Sequence, residues 1–395
     1  MKNVITREDV AVGDIAKNDI NEYIDKKARK RRRKKFDVVY ICRNGKYKKF
    51  KIPHDYAQEN IEDDPILAGV VERENEATQP KTKKEKDAES KSALKDRKKY
   101  LKQKAAKWKH RGHRIDGRRL RTINGMSRCM AYIMPERSDA SNTYADSFDI
   151  TEADRYCRMK IKEGMKSFSM LHVFLAAYVR VVSQRPGINR FISGQEIYSR
   201  YSIDVVMTVK KTMSLDSADT CIKVYFEPTD TIDEIYHKFN KVVAESTGDN
   251  ADTGFDSLSG ALLKLPRWLF RLFVWLLNKL DYHGRLPLSL LEVSPFHGSM
   301  IITSMGSLGI KPIYHHIYNF GNLPIFLSYG KKRYETVYGD DGTISRRKYM
   351  DLKVVTDERI CDGFYYASAF KLMKKYIENP EMLELPPEKV FEDIE

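Results

Sequence analysis

The chain has 395 residues, a length that supports one large domain and a smaller one. Its five cysteines are scattered with no short paired spacing, which argues against a disulfide framework or a zinc site and is typical of a reducing compartment. No apolar run near Met1 has the length of a secretion signal, so we expect a cytoplasmic protein.

The formal net charge of +15 is concentrated in the N-terminal third. Residues 1–121 carry 36 Lys and Arg against 20 Asp and Glu, whereas the rest of the chain carries 34 against 35. Nine of the ten residues in 26–35 are basic, which predicts an anionic partner, either RNA or lipid. The alternative is a solvated, self-repelling linker. The block has no interleaved aromatic residues for base stacking, which weakens the case for nucleic acid.

Composition divides the chain into three regions. Residues 1–71 form a basic N-terminal region in which Asn44-Gly45, between two strand-like runs, predicts a β-hairpin near 36–52. Residues 72–115 are rich in charge and poor in large apolar side chains, and they are predicted to be a disordered or solvent-exposed helical linker. Residues 116–395 contain the regular apolar patterns of a folded domain.

Helices and strands alternate through this domain. Residues 169–182 are apolar on nearly every side, as a buried helix is, and His172 within them is predicted to pack in the core. The pattern of 202–209 predicts a strand with a second strand, 221–226, beside it. We therefore predict an α/β fold in which helices pack on a sheet.

Residues 262–280 predict an amphipathic helix that contains two of the three tryptophans of the chain. It is too short and too charged to span a bilayer. One interpretation is a helix buried in the domain or between subunits. The other is an interfacial helix that contacts a membrane surface or a long acyl chain, which would make the protein peripheral to the membrane.

Two polar turns after apolar strands organise the C-terminal part. Thr303–Gly306 follows the apolar run 300–302, and Asp357–Phe364 follows the run 352–355. A helical pattern begins after Gly363. Further strands are predicted at 325–329, 334–338 and 344–355.

Cys361-Asp362-Gly363-Phe364 and the helix after it resemble the His-x-x-x-Asp-Gly region of the chloramphenicol acetyltransferases and of the 2-oxo-acid dehydrogenase acyltransferases. The resemblance extends over about 116–380. It implies a mixed sheet of the chloramphenicol acetyltransferase type with helices packed on it, next to a small basic N-terminal extension. It also implies transfer of an acyl group from coenzyme A, and a homotrimer whose active sites form where subunits meet. No lipoyl-bearing domain and no metal site is recognised in the sequence.

The resemblance implies site residues at matching positions. Thr303 corresponds to the hydroxyl that stabilises the oxyanion, Asp362 to the structural aspartate, and Ser304 and Gly306 are the cofactor-binding candidates beside Thr303. Glu358 occupies the position of the catalytic histidine. An unperturbed glutamate removes a thiol proton less favourably than histidine does, by about 3 kcal/mol.

The substitution leaves three interpretations. Glu358 acts as the base after an apolar pocket has made it more basic. Alternatively, the adjacent pair His315 and His316, or His297, reaches the same cleft and takes over proton transfer. Both describe an acyltransferase with unusual catalytic residues. The third interpretation is a non-catalytic scaffold or membrane-surface protein that keeps the fold.

Overall fold

The structure is a computed structural model, and it describes residues 36–43, 46–53, 83–108, 112–210, 219–247, 260, 262–339 and 342–395. The basic block at 26–35 lies outside these residues. The chain separates into two compact units, Met1–Lys86 and Asp87–Glu395.

The first unit contains two antiparallel strands, β1 (Phe36–Arg43) and β2 (Lys46–Pro53). Phe36 pairs with Pro53, and Arg43 pairs with Lys46. The strands therefore flank residues 44–45 directly, at the place where the Asn-Gly pair predicts a hairpin turn.

A six-stranded mixed sheet forms the centre of the second unit within the described residues, in the order β4-β11-β10-β9-β7-β8. β9 runs parallel to both of its neighbours, and the other adjacent pairs are antiparallel. The strands are β4 (Ser141–Asp149), β7 (Ile203–Lys210), β8 (Asp219–Phe226), β9 (Met300–Ser304), β10 (Ile325–Tyr338) and β11 (Ile344–Asp357). A smaller antiparallel sheet comprises β3 (Gly117–Arg119), β5 (Arg190–Ser193) and β6 (Glu196–Arg200).

Helices pack against the large sheet. The helices are α1 (Lys83–Ala106), α2 (Gly125–Ile133), α3 (Thr151–Lys162), α4 (Met170–Gln184), α5 (Ile232–Thr247), α6 (Arg267–Tyr282), α7 (Leu288–Val293) and α8 (Gly363–Glu378). α4 is buried along almost its whole length, and its Phe174 ring stacks on Tyr329 of β10 at 4.8 Å. α8 packs beside α4, and its Phe370 stacks on Tyr144 of β4. The predicted α/β class, a mixed sheet with helices packed on it, is confirmed.

The opposite face of the sheet carries a second, smaller apolar cluster. Successive side chains of a strand point to opposite faces, so Ile301 and Phe326 lie on the face away from α4. With Ile317 and Val355 they form a cluster separate from the main core. The segment around residue 317 therefore packs over this second face.

Most of the predicted elements are present. The predicted helix 169–182 is α4, and the predicted strands 202–209 and 221–226 are the antiparallel pair β7 and β8. The prediction of two separate strands at 325–329 and 334–338 was wrong, since both belong to β10. A shift of register between Tyr329 and Lys332 lets β10 continue along β11.

α1 lies within the segment predicted to be a charged linker, and part of it is anchored to the domain. Leu101 is only 2% exposed. Arg97 donates from Nη2 to Ser202 Oγ at 2.7 Å and to Asp204 Oδ1 at 3.0 Å, and its Nε lies 3.2 Å from Glu292 Oε1. These contacts tie the helix to the start of β7 and to α7.

Candidate functional site

The turn after β11 is held by a buried group of three charges. Arg359 donates from Nε to Asp357 Oδ1 at 2.8 Å and from Nη2 to Asp357 Oδ2 at 2.7 Å. Arg137 Nε lies 3.5 Å from Asp357 Oδ2. Burial lowers the pKa of Arg137 to about 10, although Asp357 opposes this shift. The two guanidinium groups also donate to the carbonyl oxygens of Met134, Pro135, Tyr318 and Gly321.

In the sequence, Glu358 lies between Asp357 and Arg359, which are both buried, but its own side chain is exposed. Its backbone N–H donates to Ala140 O at 2.9 Å. Its Oε2 accepts a hydrogen bond from Asn142 Nδ2 at 2.7 Å, and the residue is exposed. Within one chain the carboxylate therefore lies at the surface, and the apolar pocket considered for it is not formed there.

Asp362 begins α8. Its Oδ1 accepts a hydrogen bond from the backbone N–H of Tyr365 at 2.8 Å, which is the interaction of a helix N-cap. This position supports a local structural role. The preceding Cys361 is buried, and burial raises the pKa of its thiol to about 12, so the thiol is protonated at neutral pH.

Thr303 lies near the end of β9, in register with Ser328 of β10. Its side chain is partly exposed and makes no hydrogen bond to the described residues. Ser304 O accepts a hydrogen bond from Ser307 Oγ at 2.9 Å, which closes the following turn. A Cβ at Gly306 would lie 2.7 Å from Gly330 O, so only glycine permits this close approach of two backbones. The Thr303 hydroxyl, which has no hydrogen-bond partner among the described residues, thus lies beside a turn whose backbone is tightly packed.

The two adjacent histidines lie on the second face of the sheet. The His315 ring stacks on Phe326 with 4.2 Å between the ring centroids, and its Nδ1–H donates to His316 O at 2.8 Å. His316 is exposed and lies edge-on to Tyr318. Phe326 pairs with Ile301, two residues before Thr303. His316 is therefore accessible, and within the described residues neither histidine makes a hydrogen bond to Thr303, Glu358 or Asp362.

His297 is only 2% exposed, so its imidazole is not accessible for proton transfer to a substrate at the surface. Its Nδ1 lies 2.8 Å from Ser294 Oγ, and its Nε2 lies 3.3 Å from Asp281 Oδ2. Asp281 also accepts a hydrogen bond from Arg114 Nη2 at 2.8 Å. Burial lowers the pKa of His297, although Asp281 opposes this shift, so the imidazole is neutral and serves to anchor the end of α6.

One chain does not bring Thr303 and Glu358 together. Thr303, Ser328 and Lys353 form one row across β9, β10 and β11. Asp357 lies four residues beyond this row on β11, a distance of about 13 Å along a strand. Because β11 runs antiparallel to β10 and β9, Glu358 follows at the end of the sheet opposite to that of Thr303.

Two residues in this region, Asn142 and Arg137, could not be singled out from the sequence. Asn142, the partner of Glu358, lies 216 residues away in the chain, and Arg137 lies in an irregular segment before β4. A polar residue at the start of an exposed strand is too common to be singled out. A clue existed only for Arg359, which falls within the predicted turn.

Residues 289–385 match the family described as 2-oxoacid dehydrogenases acyltransferase (catalytic domain). Over this segment, about a quarter of the chain, the sequence is similar to the catalytic domain of these acyltransferases. The segment contains the Thr303 turn and the Asp357–Gly363 turn, and the resemblance predicted from the sequence is confirmed.

Solved structures of similar proteins include several acyltransferases. A probable dihydrolipoamide acetyltransferase from Listeria monocytogenes is 17% identical with a TM-score of 0.42, over 65% of this chain and 93% of that chain. The cubic core of a pyruvate dehydrogenase multienzyme complex is 15% identical with a TM-score of 0.40, over 71% and 96%. A chloramphenicol acetyltransferase is 11% identical with a TM-score of 0.41, over 66% and 99%. No curated protein matches the chain.

Proposed function

We propose that this protein transfers an acyl group from coenzyme A to a thiol or hydroxyl acceptor, at a site that two copies of the chain form together. The family match over residues 289–385 carries this proposal, because it covers both turns that hold the candidate residues. Thr303 stabilises the oxyanion of the tetrahedral intermediate through its hydroxyl, as a preorganised donor does. Glu358 removes the proton of the acceptor or binds the acceptor, and Asp362 fixes the start of α8.

The placement of the residues supports a site between copies. Both side chains reach solvent, yet they lie at opposite ends of one sheet. A head-to-tail contact brings one end of a protomer against the other end of its neighbour, and three such contacts close a ring. A neighbour would also exclude water from the Glu358 carboxylate, and a desolvated carboxylate binds a proton more strongly. The homotrimer expected from the resemblance is thus part of the proposal.

Mixing two inactive variants tests the shared site. We expect Thr303→Val to lower kcat by about 100-fold or more, because the isosteric side chain removes the oxyanion donor, whereas Thr303→Ser keeps it. We expect Glu358→Gln to be impaired as well. When Thr303→Val and Glu358→Gln chains are unfolded and refolded together, about a quarter of the sites of random trimers combine both intact residues. Release of the coenzyme A thiol from acetyl-CoA, with dihydrolipoamide or chloramphenicol as acceptor, measures this recovery.

Two results would contradict parts of the proposal. No recovery on mixing, when each variant alone is folded and wild type is active, excludes a site shared between copies. Unchanged turnover of Glu358→Gln removes Glu358 from the mechanism and directs attention to His315 and His316.

A non-catalytic assembly protein is the second candidate, and one observation favours it. Glu358 is already hydrogen-bonded to Asn142 and exposed, an arrangement that suits a surface residue. Thermal unfolding with added coenzyme A separates the two candidates. A saturable rise in melting temperature supports the enzyme, and none at millimolar coenzyme A supports the assembly protein.

A further inference from the structure

α6 presents an apolar surface to solvent. Trp268, Leu272, Trp275 and Leu276 follow the spacing i, i+4, i+7 and i+8, which places them on one face of the helix. Trp268 is 69% exposed and Trp275 is 56% exposed. None of the apolar residues of α6 is fully buried. The interpretation of this helix as an element buried within the domain was therefore wrong for a single chain.

Basic side chains surround this apolar face. In the segment 262–285 every exposed charged residue is a cation, and the sole acidic residue, Asp281, is buried against Arg114. No ion pair joins any of these cations to a carboxylate within the described part of the chain. The cations are Lys264, Arg267, Arg271, Lys279 and Arg285.

The C-terminal end of α6 is fixed to the domain. Arg114 donates from Nη1 to the Asp281 carbonyl oxygen at 2.6 Å and from Nη2 to the Asp281 carboxylate at 2.8 Å. Tyr282 OH donates to Gln195 Oε1 at 2.9 Å. These contacts hold the last turn of α6 against the domain, while Trp268 and Trp275 on the preceding turns remain exposed.

We propose that α6 binds the surface of an anionic lipid bilayer. A layer of negative headgroups over hydrocarbon complements a helix whose apolar face is flanked by cations that pair with no described carboxylate. Tryptophan is favoured at this boundary, because its ring is largely apolar while its N–H stays hydrated. A second copy of the chain would have to supply several carboxylates around an apolar patch. Binding is peripheral, since no described helix has the length and apolarity to cross a bilayer. This proposal does not depend on acyl transfer.

Vesicles of phosphatidylglycerol and phosphatidylcholine test the proposal with the full-length chain. We expect co-sedimentation with mixed vesicles and much weaker binding to phosphatidylcholine alone. Trp268→Ser/Trp275→Ser should lower the partition coefficient about tenfold or more through lost apolar contact. Arg267→Gln/Arg271→Gln should lower it about 30-fold, which corresponds to about 1 kcal/mol for each cation near the surface.

The basic block at 26–35 can also bind anionic vesicles, so a second measurement isolates α6. Lipids brominated on the acyl chain quench tryptophans at the membrane boundary, and we expect this quenching in wild type and its loss in Trp268→Phe/Trp275→Phe. Tyr338→Ser and Ile344→Ser serve as matched controls, because both side chains are exposed on the hairpin of β10 and β11. Both controls should bind vesicles as wild type does.

Two outcomes overturn the proposal. One is vesicle binding that is unchanged in Trp268→Ser/Trp275→Ser, together with no quenching by brominated lipid. The other is a native oligomer, seen by sedimentation equilibrium, that this double variant dissociates while vesicle binding stays unchanged. The second outcome would assign the apolar face to another copy of the chain.

Discussion

At the scale of single residues, the candidate site depends on a contrast between Asp357 and Glu358. Asp357 and Arg359 are each about 1% exposed and neutralise one another, whereas the intervening Glu358 is exposed. Two adjacent buried charges survive because each is paired and hydrogen-bonded. The rigid turn therefore fixes the backbone of Glu358 while its carboxylate remains available.

Replacement of Asp357 should show how strongly this turn is held. Asp357→Asn leaves the guanidinium groups of Arg137 and Arg359 buried without a carboxylate, and we expect a loss of about 3–5 kcal/mol in the free energy of unfolding. Urea denaturation measures this change. Glu358→Gln is the matched control, with an expected change within about 0.5 kcal/mol at its exposed position. A loss below about 1 kcal/mol in Asp357→Asn would show that the hydrogen bonds to carbonyl groups suffice.

The sequence provides candidate residues for the site but not their surroundings. Thr303, Glu358 and Asp362 are candidates because each follows a strand-like apolar run and matches a position in the motif of the acyltransferases that the sequence resembles. Their separation was not predictable, because it depends on which strands pair and in which direction. The hydrogen-bond partners of Glu358, Asn142 and Ala140, are likewise distant in the chain and could not be predicted from it.

At the scale of the elements, α4 illustrates a cap that involves an ionisable group. Ser169 precedes the helix, and its backbone N–H donates to His172 Nδ1 at 3.0 Å. The His172 ring stacks on Phe168 with 5.2 Å between the ring centroids. Burial lowers the pKa of His172 to about 4. The predicted core histidine thus also caps the central helix, and only its unprotonated Nδ1 can accept this bond.

This shift predicts a pH dependence of stability. An unfolded histidine gains a proton below about pH 6.5, while folded His172 stays neutral until about pH 4. The stabilisation from His172 is therefore complete above pH 6.5 and is lost as the pH falls to 4, by about 3 kcal/mol. His172→Gln keeps an acceptor for Ser169 and does not titrate. Urea unfolding of both proteins from pH 7 to pH 4 should show the smaller loss in the variant, and parallel curves would contradict the assignment.

Strand and helix patterns were predictable where burial dominates, as in α4 and β7. The division of β10 into two strands failed because Gly330 and Lys331 interrupt the apolar pattern, whereas pairing with β11 continues past them. For α6 the helix was predictable, but the surroundings of its apolar face were not. Its apolar residues favoured burial, but no sequence pattern distinguishes a buried face from one that a membrane or another copy covers.

At the scale of the whole molecule, most of α1 belongs to the second compact unit, which begins at Asp87. The sequence of α1 is mostly polar and has few large apolar residues, so periodicity did not indicate that it packs against the sheet. The cation Arg97 makes the contact between α1 and the sheet. The Arg97 guanidinium lies 3.9 Å from the centre of the Tyr225 ring and reaches carboxylates on β7 and α7. Burial opposes the charge of Arg97, but Asp204 and Glu292 raise its pKa overall.

Replacement of Arg97 tests whether α1 is an integral part of the domain. Arg97→Met keeps the apolar stem but leaves the largely buried Asp204 without its cation, so we expect a loss of about 3–5 kcal/mol in the free energy of unfolding. Lys98→Met, at the exposed neighbouring position, should change this free energy by less than about 0.5 kcal/mol. Hydrogen exchange adds a local measurement, because amides near Leu101 should exchange faster in Arg97→Met than in Lys98→Met. Equal stability and equal exchange in the two variants would show that the ion pairs of Arg97 contribute little, and that other contacts of α1, such as the burial of Leu101 and the Lys104–Glu227 ion pair, hold the helix.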